Sequence, residues 1–284
     1  MATVSTGEDA VAPTSRSRWF EPRPVLLFVI VTFLVSYGLG IPMLFMVGAW
    51  APGLNEVAAL YAGRFFVVIG PTCGALAAIS ATSGRTAITS FLRRRLSLSA
   101  GSWAFAILLP LLAMTLVLAA YACAGSPLGT LMSALGEAWP LLLTHIVLQI
   151  LIVGLGEELG WRGWLLPTLT VRHGLSRATL VTGIVWYLWH FPILLGGVHD
   201  AFWFAVAIAG LSMIFSTIWL RSGQSAVLPA MAHGSVNAAV VFLTAALPEA
   251  DHKGAWSILC GMLAVCGLGA FLWTRAQWGK VSAA

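Results

Sequence analysis

Apolar stretches of about 20 residues, the length that crosses a bilayer as a helix, follow one another along the chain. They predict helices over residues 25–48, 60–82, 103–124, 139–166, 178–197, 202–220, 225–247 and 255–275. Short polar connections, several of them basic, separate these stretches. The fourth is overlong: the run WPLLLTHIVLQILIVGLG leads straight into GEELGWRGW and stops, on this reading, at Pro167. A proline in a helix interior lacks the N–H that the ladder needs, so it is read here as a breaker. The pattern is that of an all-α, polytopic transmembrane helical bundle of about eight spans.

Composition agrees with the pattern. Of 284 residues, 59% are hydrophobic and only 9% charged, where soluble domains carry about a quarter. The net charge of +5 leaves no basic domain over for nucleic acid, because the basic residues fall in short loops. Their distribution sets orientation instead. Twelve fall on one side: Arg16, Arg18, Arg23, Arg85, Arg93, Arg94, Arg95, Arg172, Arg177, Arg221, Arg275 and Lys280. The other side receives Arg64 and Lys253, and Arg162 stays in the membrane. The expectation is a multi-pass protein of the plasma membrane with both termini cytoplasmic.

Four segments follow. Residues 1–23 read as a disordered cytoplasmic tail, and 24–137 as N-terminal transmembrane helices. Residues 138–247 form the core that carries the chemistry, and 248–284 a last helix and tail. The first apolar run is longer than the core of a signal peptide and reads as a retained span. The basic stretch RTAITSFLRRRLSLS, residues 85–99, reads as a topology signal touching anionic headgroups. Cys73, Cys123, Cys260 and Cys266 lie in apolar runs without a pairing pattern and read as packing residues.

With loops and tails removed, the ionisable residues at membrane depth are His145, Glu157, Glu158, Arg162, His190 and His233. Such groups are costly in lipid and mark functional interiors. At ~1.5 Å per residue, Glu157 lies ~14 Å from the cytoplasmic end of its helix, His190 ~18 Å, His233 ~12 Å and Asn237 ~18 Å. Three helices remote in sequence thus deliver polar groups to one layer. Glu158 and Arg162 are i,i+4 and can pair; Glu157, turned ~100° from Glu158, is free to face a cavity. Gly156 and Gly160 form a GxxxG that admits a neighbouring helix. His145 alone reads as a packing or interhelical hydrogen-bond residue.

A glutamate and two histidines at one depth, without a serine or cysteine motif, suit an activated water. Glu157 would be the general base, His190 would hold and polarise the water, and His233 with Asn237 would donate to the oxyanion. Zinc is the competing account, with Glu157, His190 and His233 as ligands, although HExxH is lacking.

These residues resemble the CPBP family (CAAX prenyl protease 2-like, or Abi, bacteriocin-processing) of intramembrane proteases. Its EExxxR motif corresponds to Glu157, Glu158 and Arg162, its FxxxH element to Trp186 and His190, and its HxxxN motif to His233 and Asn237. Trp186 stands where phenylalanine is usual. The resemblance covers about residues 138–245 and implies a polytopic helical fold with a cavity open to cytoplasm and membrane. It implies Glu157 and His190 as water activators, His233 and Asn237 as oxyanion stabilisers, and Glu158 and Arg162 as supports. Family members have been described both as metalloproteases and as metal-independent glutamate proteases; no cofactor is favoured here, with zinc the alternative.

The expected partners are a membrane-associated peptide or protein substrate and the lipid bilayer. The sequence also admits two other readings: a proton- or cation-coupled transporter using the same Glu/His set, and a catalytically lapsed bacteriocin-immunity protein. Against transport, no paired half-sequences mark an internal repeat.

Overall fold

A computed structural model describes residues 23–99, 102–247 and 252–281, and among these every regular element is helical. The reading of residues 1–22 as a tail lies outside the described residues. In chain order the long elements are α1 (Arg23–Phe45), α2 (Glu56–Ser83), α3 (Thr86–Arg95), α4 (Ser102–Cys123), α5 (residues 128–173), α6 (residues 175–189), α7 (Val198–Arg221), α8 (Val227–Ala246) and α9 (His252–Val281). Among the described residues seven stretches are long and apolar enough to span, α5 and α6 together making one of them, and large apolar side chains such as Phe105, Leu111, Leu180 and Trp273 stand on the outside. In water such a surface would aggregate; against acyl chains it is the expected one. The protein is a multi-pass membrane protein.

The stretch from Leu128 to Trp189 is helical over 62 residues, ~93 Å if straight and about three times the hydrocarbon thickness. It does not run straight. Ala138 kinks it at φ −119°, and Gly174 at φ +72° and ψ 159° reverses it, a backbone conformation that a Cβ disfavours. Gly174, and not Pro167, therefore separates the fourth and fifth crossings. The helix runs through Pro167 because the preceding turn, Trp161–Leu165, is wide (π-type), and such a turn reorders the hydrogen bonds that proline would break. The expected end at Pro167 is corrected accordingly, and Glu157 lies ~24 Å from the end of its helix.

Close packing at small residues aligns the core. A Cβ on Gly160 would fall 2.4 Å from the Pro71 carbonyl carbon of α2, as the GxxxG suggested. A Cβ on Gly234 of α8 would fall 2.6 Å from the Ile150 backbone of α5. Thr72 adds a hydrogen bond to the Gly156 carbonyl at 2.7 Å. α5 is thus gripped between α2 and α8, with Phe28 of α1 stacked on Trp164 at 5.0 Å.

The basic segment forms α3, whose final turn holds Arg93, Arg94 and Arg95. Arg95 is more than a topology marker. It is buried and donates from Nη1 to the Gln224 carbonyl at 2.9 Å, and its own carbonyl receives the Ala226 N–H at 2.8 Å. Burial, and then the adjacent Arg94 charge, lower its pKa to about 10. The four cysteines are free thiols.

Candidate active site

Two wide turns, Gln149–Gly154 and Trp161–Leu165, flank the α-helical segment Leu155–Gly160 that carries both glutamates. Wide turns of this kind inside helices recur at functional sites. Glu157 is 2% exposed and Glu158 and Arg162 are 0% exposed. Adjacent residues ~100° apart can both be buried here because α5 is enclosed by α2 and α8.

Glu158 is the hub of one network. Both its oxygens accept from Arg162 Nη1, at 2.8 and 3.0 Å, and Oε1 also accepts from His233 Nδ1 at 3.0 Å. The Arg162 guanidinium lies 4.6 Å from the Trp186 ring centre and 5.1 Å from that of Phe215, positions suited to cation–π attraction. The His233 ring stacks on Phe215 at 5.5 Å. Glu158 thereby joins Arg162 and His233 in one network.

Trp186 is the hub of a second network. Its indole Nε1 donates to Glu157 Oε2 at 2.8 Å, and Trp161 Nε1 donates to the same oxygen at 3.3 Å. Its carbonyl accepts from His190 Nδ1 at 2.9 Å. A carbonyl can only accept, so Nδ1 carries the proton and the neutral ring presents Nε2 as a lone pair. His190 sits just past the end of α6, at φ −86° and ψ 24°, where the helix gives way to the short turn Phe191–Leu194. From α1, Tyr37 donates to the Trp189 carbonyl, and Trp189 Nε1 donates to Ser36 Oγ at 2.9 Å.

His190, His233, Asn237 and Trp186 line one cavity of about 160 Å³. Glu157 stands behind this lining, against the Trp186 indole. Its hydrogen bonds to described side chains both fall on Oε2. The structure thus brings the expected residues into one cluster, but joins Glu157 to His190 through Trp186 and not directly. Among the described residues, no group of three His, Cys, Asp or Glu side chains is arranged to hold a metal ion.

His145 pairs with Tyr61 across α5 and α2, Nδ1 to hydroxyl at 2.8 Å, which is the interhelical hydrogen bond expected of it. Two residues of the cavity wall were not expected. Arg64, counted from sequence as an outer-side charge, lies within α2 and lines the cavity, as does Gln149 of α5. The signal for Arg64 was present: LYAGRFFVVIG surrounds it with apolar residues on both sides. The Trp186 indole was also not expected as a donor, because the phenylalanine usual at this place has no N–H to give.

Residues 139–239 match the family model described as "Type II CAAX prenyl endopeptidase Rce1-like". Over 103 residues the chain is 28% identical to CAAX prenyl protease 2 of Methanococcus maripaludis, an alignment covering 32% of this chain and 38% of that protein. The chain thus spans well under half the length of this curated relative. The match ends just past Asn237 and encloses Glu157, Glu158, Arg162, His190 and His233. Together with the all-helical, multi-span fold, the matched segment supports a CPBP-family protein.

Proposed function

We propose that the chain is an intramembrane endopeptidase that hydrolyses peptide bonds of membrane-associated proteins or peptides with a water activated by Glu157 and His190. The observation that carries this reading is Trp186, which ties Glu157 and His190 together beside a cavity that His233 and Asn237 also line. At the family level the matched model is that of an endopeptidase, which favours hydrolysis over transport.

The water would sit between the uncommitted Glu157 Oε1 and the lone pair of His190 Nε2. As its oxygen attacks the carbonyl carbon, one proton passes to Glu157, and the C=O electron pair moves onto oxygen. Asn237 donates its amide N–H to that oxyanion. In its protonated form His233 donates Nε2–H to it as well, with Glu158 as the counter-charge. The C–N bond then breaks, the leaving nitrogen takes the proton from Glu157, and an amine and a carboxylic acid result.

This mechanism needs no metal. It orients the reaction by fixed donors aimed at the developing oxyanion. Purified wild type, Glu157→Gln and His190→Ala are compared on a library of apolar peptides in detergent micelles. A general base contributes about 10²- to 10⁴-fold, so Glu157→Gln loses at least a hundredfold in kcat. Cleavage by Glu157→Gln at the wild-type rate would remove Glu157 from the mechanism.

A further inference from the structure

Beyond the two networks, the cavity wall holds a cation that the proposed chemistry does not use. Arg64 lies on α2, eight residues past Glu56 and ~12 Å into the helix, where Asn55 caps the N-terminus through the Ala58 N–H at 2.8 Å. Its guanidinium makes no hydrogen bond or ion pair with any described residue, and the wall around it is mostly apolar, including Phe204, Ile208, Leu211, Val240, Trp256 and Leu259. A guanidinium at membrane depth is expensive unless something answers its charge. Arg162 is answered by Glu158; Arg64 has no such partner in the described chain.

Local geometry holds Arg64 in this place. Tyr61 and Arg64 are i,i+3 on one face of α2, while His145 and Gln149 are i,i+4 on α5. The Tyr61–His145 hydrogen bond pins these two faces together and sets Arg64 and Gln149 on the wall of one cavity. Gln149 is 1% exposed, yet its Oε1 has no hydrogen-bond partner among the described residues. A buried amide oxygen without a donor costs about 1–3 kcal/mol. The wall therefore presents one unanswered cation and one unanswered acceptor, close to His190, His233 and Asn237.

We infer that Arg64 and Gln149 form an anion-recognising subsite of the cavity, which takes a carboxylate of the substrate on Arg64 and an adjacent backbone N–H on Gln149 Oε1. A peptide provides both features side by side, and the apolar wall receives the side chains between the carboxylate and the bond to be cut. The fork of a guanidinium matches a carboxylate bidentately, which a lysine would not reproduce. The carboxylate can come from a free C-terminus or from an aspartate or glutamate side chain. In either case the subsite places an anion at a set distance from the scissile bond. The identity of the ligand as a peptide rests on the proposed endopeptidase reading; the charge preference itself does not.

The experiment uses full-length protein in micelles and one apolar decapeptide in three forms: C-terminal carboxylate, C-terminal amide, and amide with an internal glutamate. Binding is measured by fluorescence anisotropy on wild type, Glu157→Gln, Arg64→Lys and Arg64→Met, and cleavage on the same set. Wild type and Glu157→Gln bind an anionic form about ten- to a hundredfold more tightly than the plain amide. Arg64→Met removes the difference, and Arg64→Lys retains only part of it. Preference for the terminal carboxylate identifies the C-terminus as the source, and preference for the internal glutamate identifies a side chain. Equal binding of all three forms by wild type overturns the subsite, as does an undiminished preference in a folded Arg64→Met. The wild-type comparison needs no substitution, so a misfolded variant does not obstruct the test. Charge-selective binding without cleavage of any peptide sinks the endopeptidase reading and leaves the subsite standing; cleavage indifferent to charge does the reverse.

Discussion

Replacing Glu158 by leucine strips the counter-charge from a guanidinium that has no exposure to solvent. Both hydrogen bonds that Arg162 makes in the described structure end on Glu158, and its Nε and Nη2 already lack partners. Removing one partner of a buried ion pair costs about 3–5 kcal/mol, because the other charge is left unpaired. The Trp186 and Phe215 rings lie beside the cation with or without Glu158, so they do not offset this loss. The expected loss for Glu158→Leu is therefore about 3–5 kcal/mol. In the double variant Glu158→Leu/Arg162→Met no charge is stranded, and the loss falls below that of Glu158→Leu alone. Denaturant titration in detergent micelles, followed by the intrinsic fluorescence of the tryptophans, measures all four corners of the cycle. A loss under ~1 kcal/mol for Glu158→Leu, or additive single losses, would refute the buried-pair reasoning. The double variant also separates stability from function. It recovers the fold but leaves His233 Nδ1 without its carboxylate, so its kcat stays at least tenfold below wild type. Normal turnover by a folded double variant would show that His233 does not depend on Glu158.

Three further outcomes follow from the same contacts. Trp186→Phe keeps an aromatic ring near His233 and the carbonyl that receives His190, but removes the 2.8 Å indole bond to Glu157; kcat falls about tenfold or more with KM little changed, and unchanged kcat would make that bond idle. Gly160→Ala puts a methyl 2.4 Å from the α2 backbone, which costs about 1–3 kcal/mol by overpacking; a neutral result in denaturant titration would mean that α2 yields freely. Treatment with a chelator leaves the cleavage rate unchanged, whereas loss of activity restored by Zn²⁺ would overturn the metal-free mechanism.

Much of the bundle was legible because hydropathy measures the property that decides whether a segment enters lipid. Apolar length located the crossings from α1 to α9 to within a few residues at most ends. It misplaced the fourth boundary, where two local rules met. Pro167 breaks an ordinary helix, but the wide turn Trp161–Leu165 before it removes the conflict, while Gly174 supplies the positive φ that turns the chain. Glycine is frequent throughout this sequence, so nothing local separates Gly174 from glycines such as Gly160 that only admit a neighbour. That distinction is made by the helix packed opposite.

The site divides along a similar line. Motif spacing pointed to Glu157, Glu158, Arg162, His190, His233 and Asn237 because i,i+4 geometry is a function of sequence number alone, whereas the depth assigned to Glu157 shifted once its helix ran on to Gly174. What spacing could not supply is which side chain lies between two others. Trp186 binds Glu157 through its indole, and the same residue orients His190 through its backbone. Arg64 was not expected in the cavity wall for a related reason. A lone arginine near the edge of an apolar run counts as an orientation marker when only the run is considered. It becomes a wall of the cavity only once Tyr61 binds His145 and α2 is docked on α5. The charge that told least about topology is, on this geometry, the one that bears most on which peptides the cavity admits.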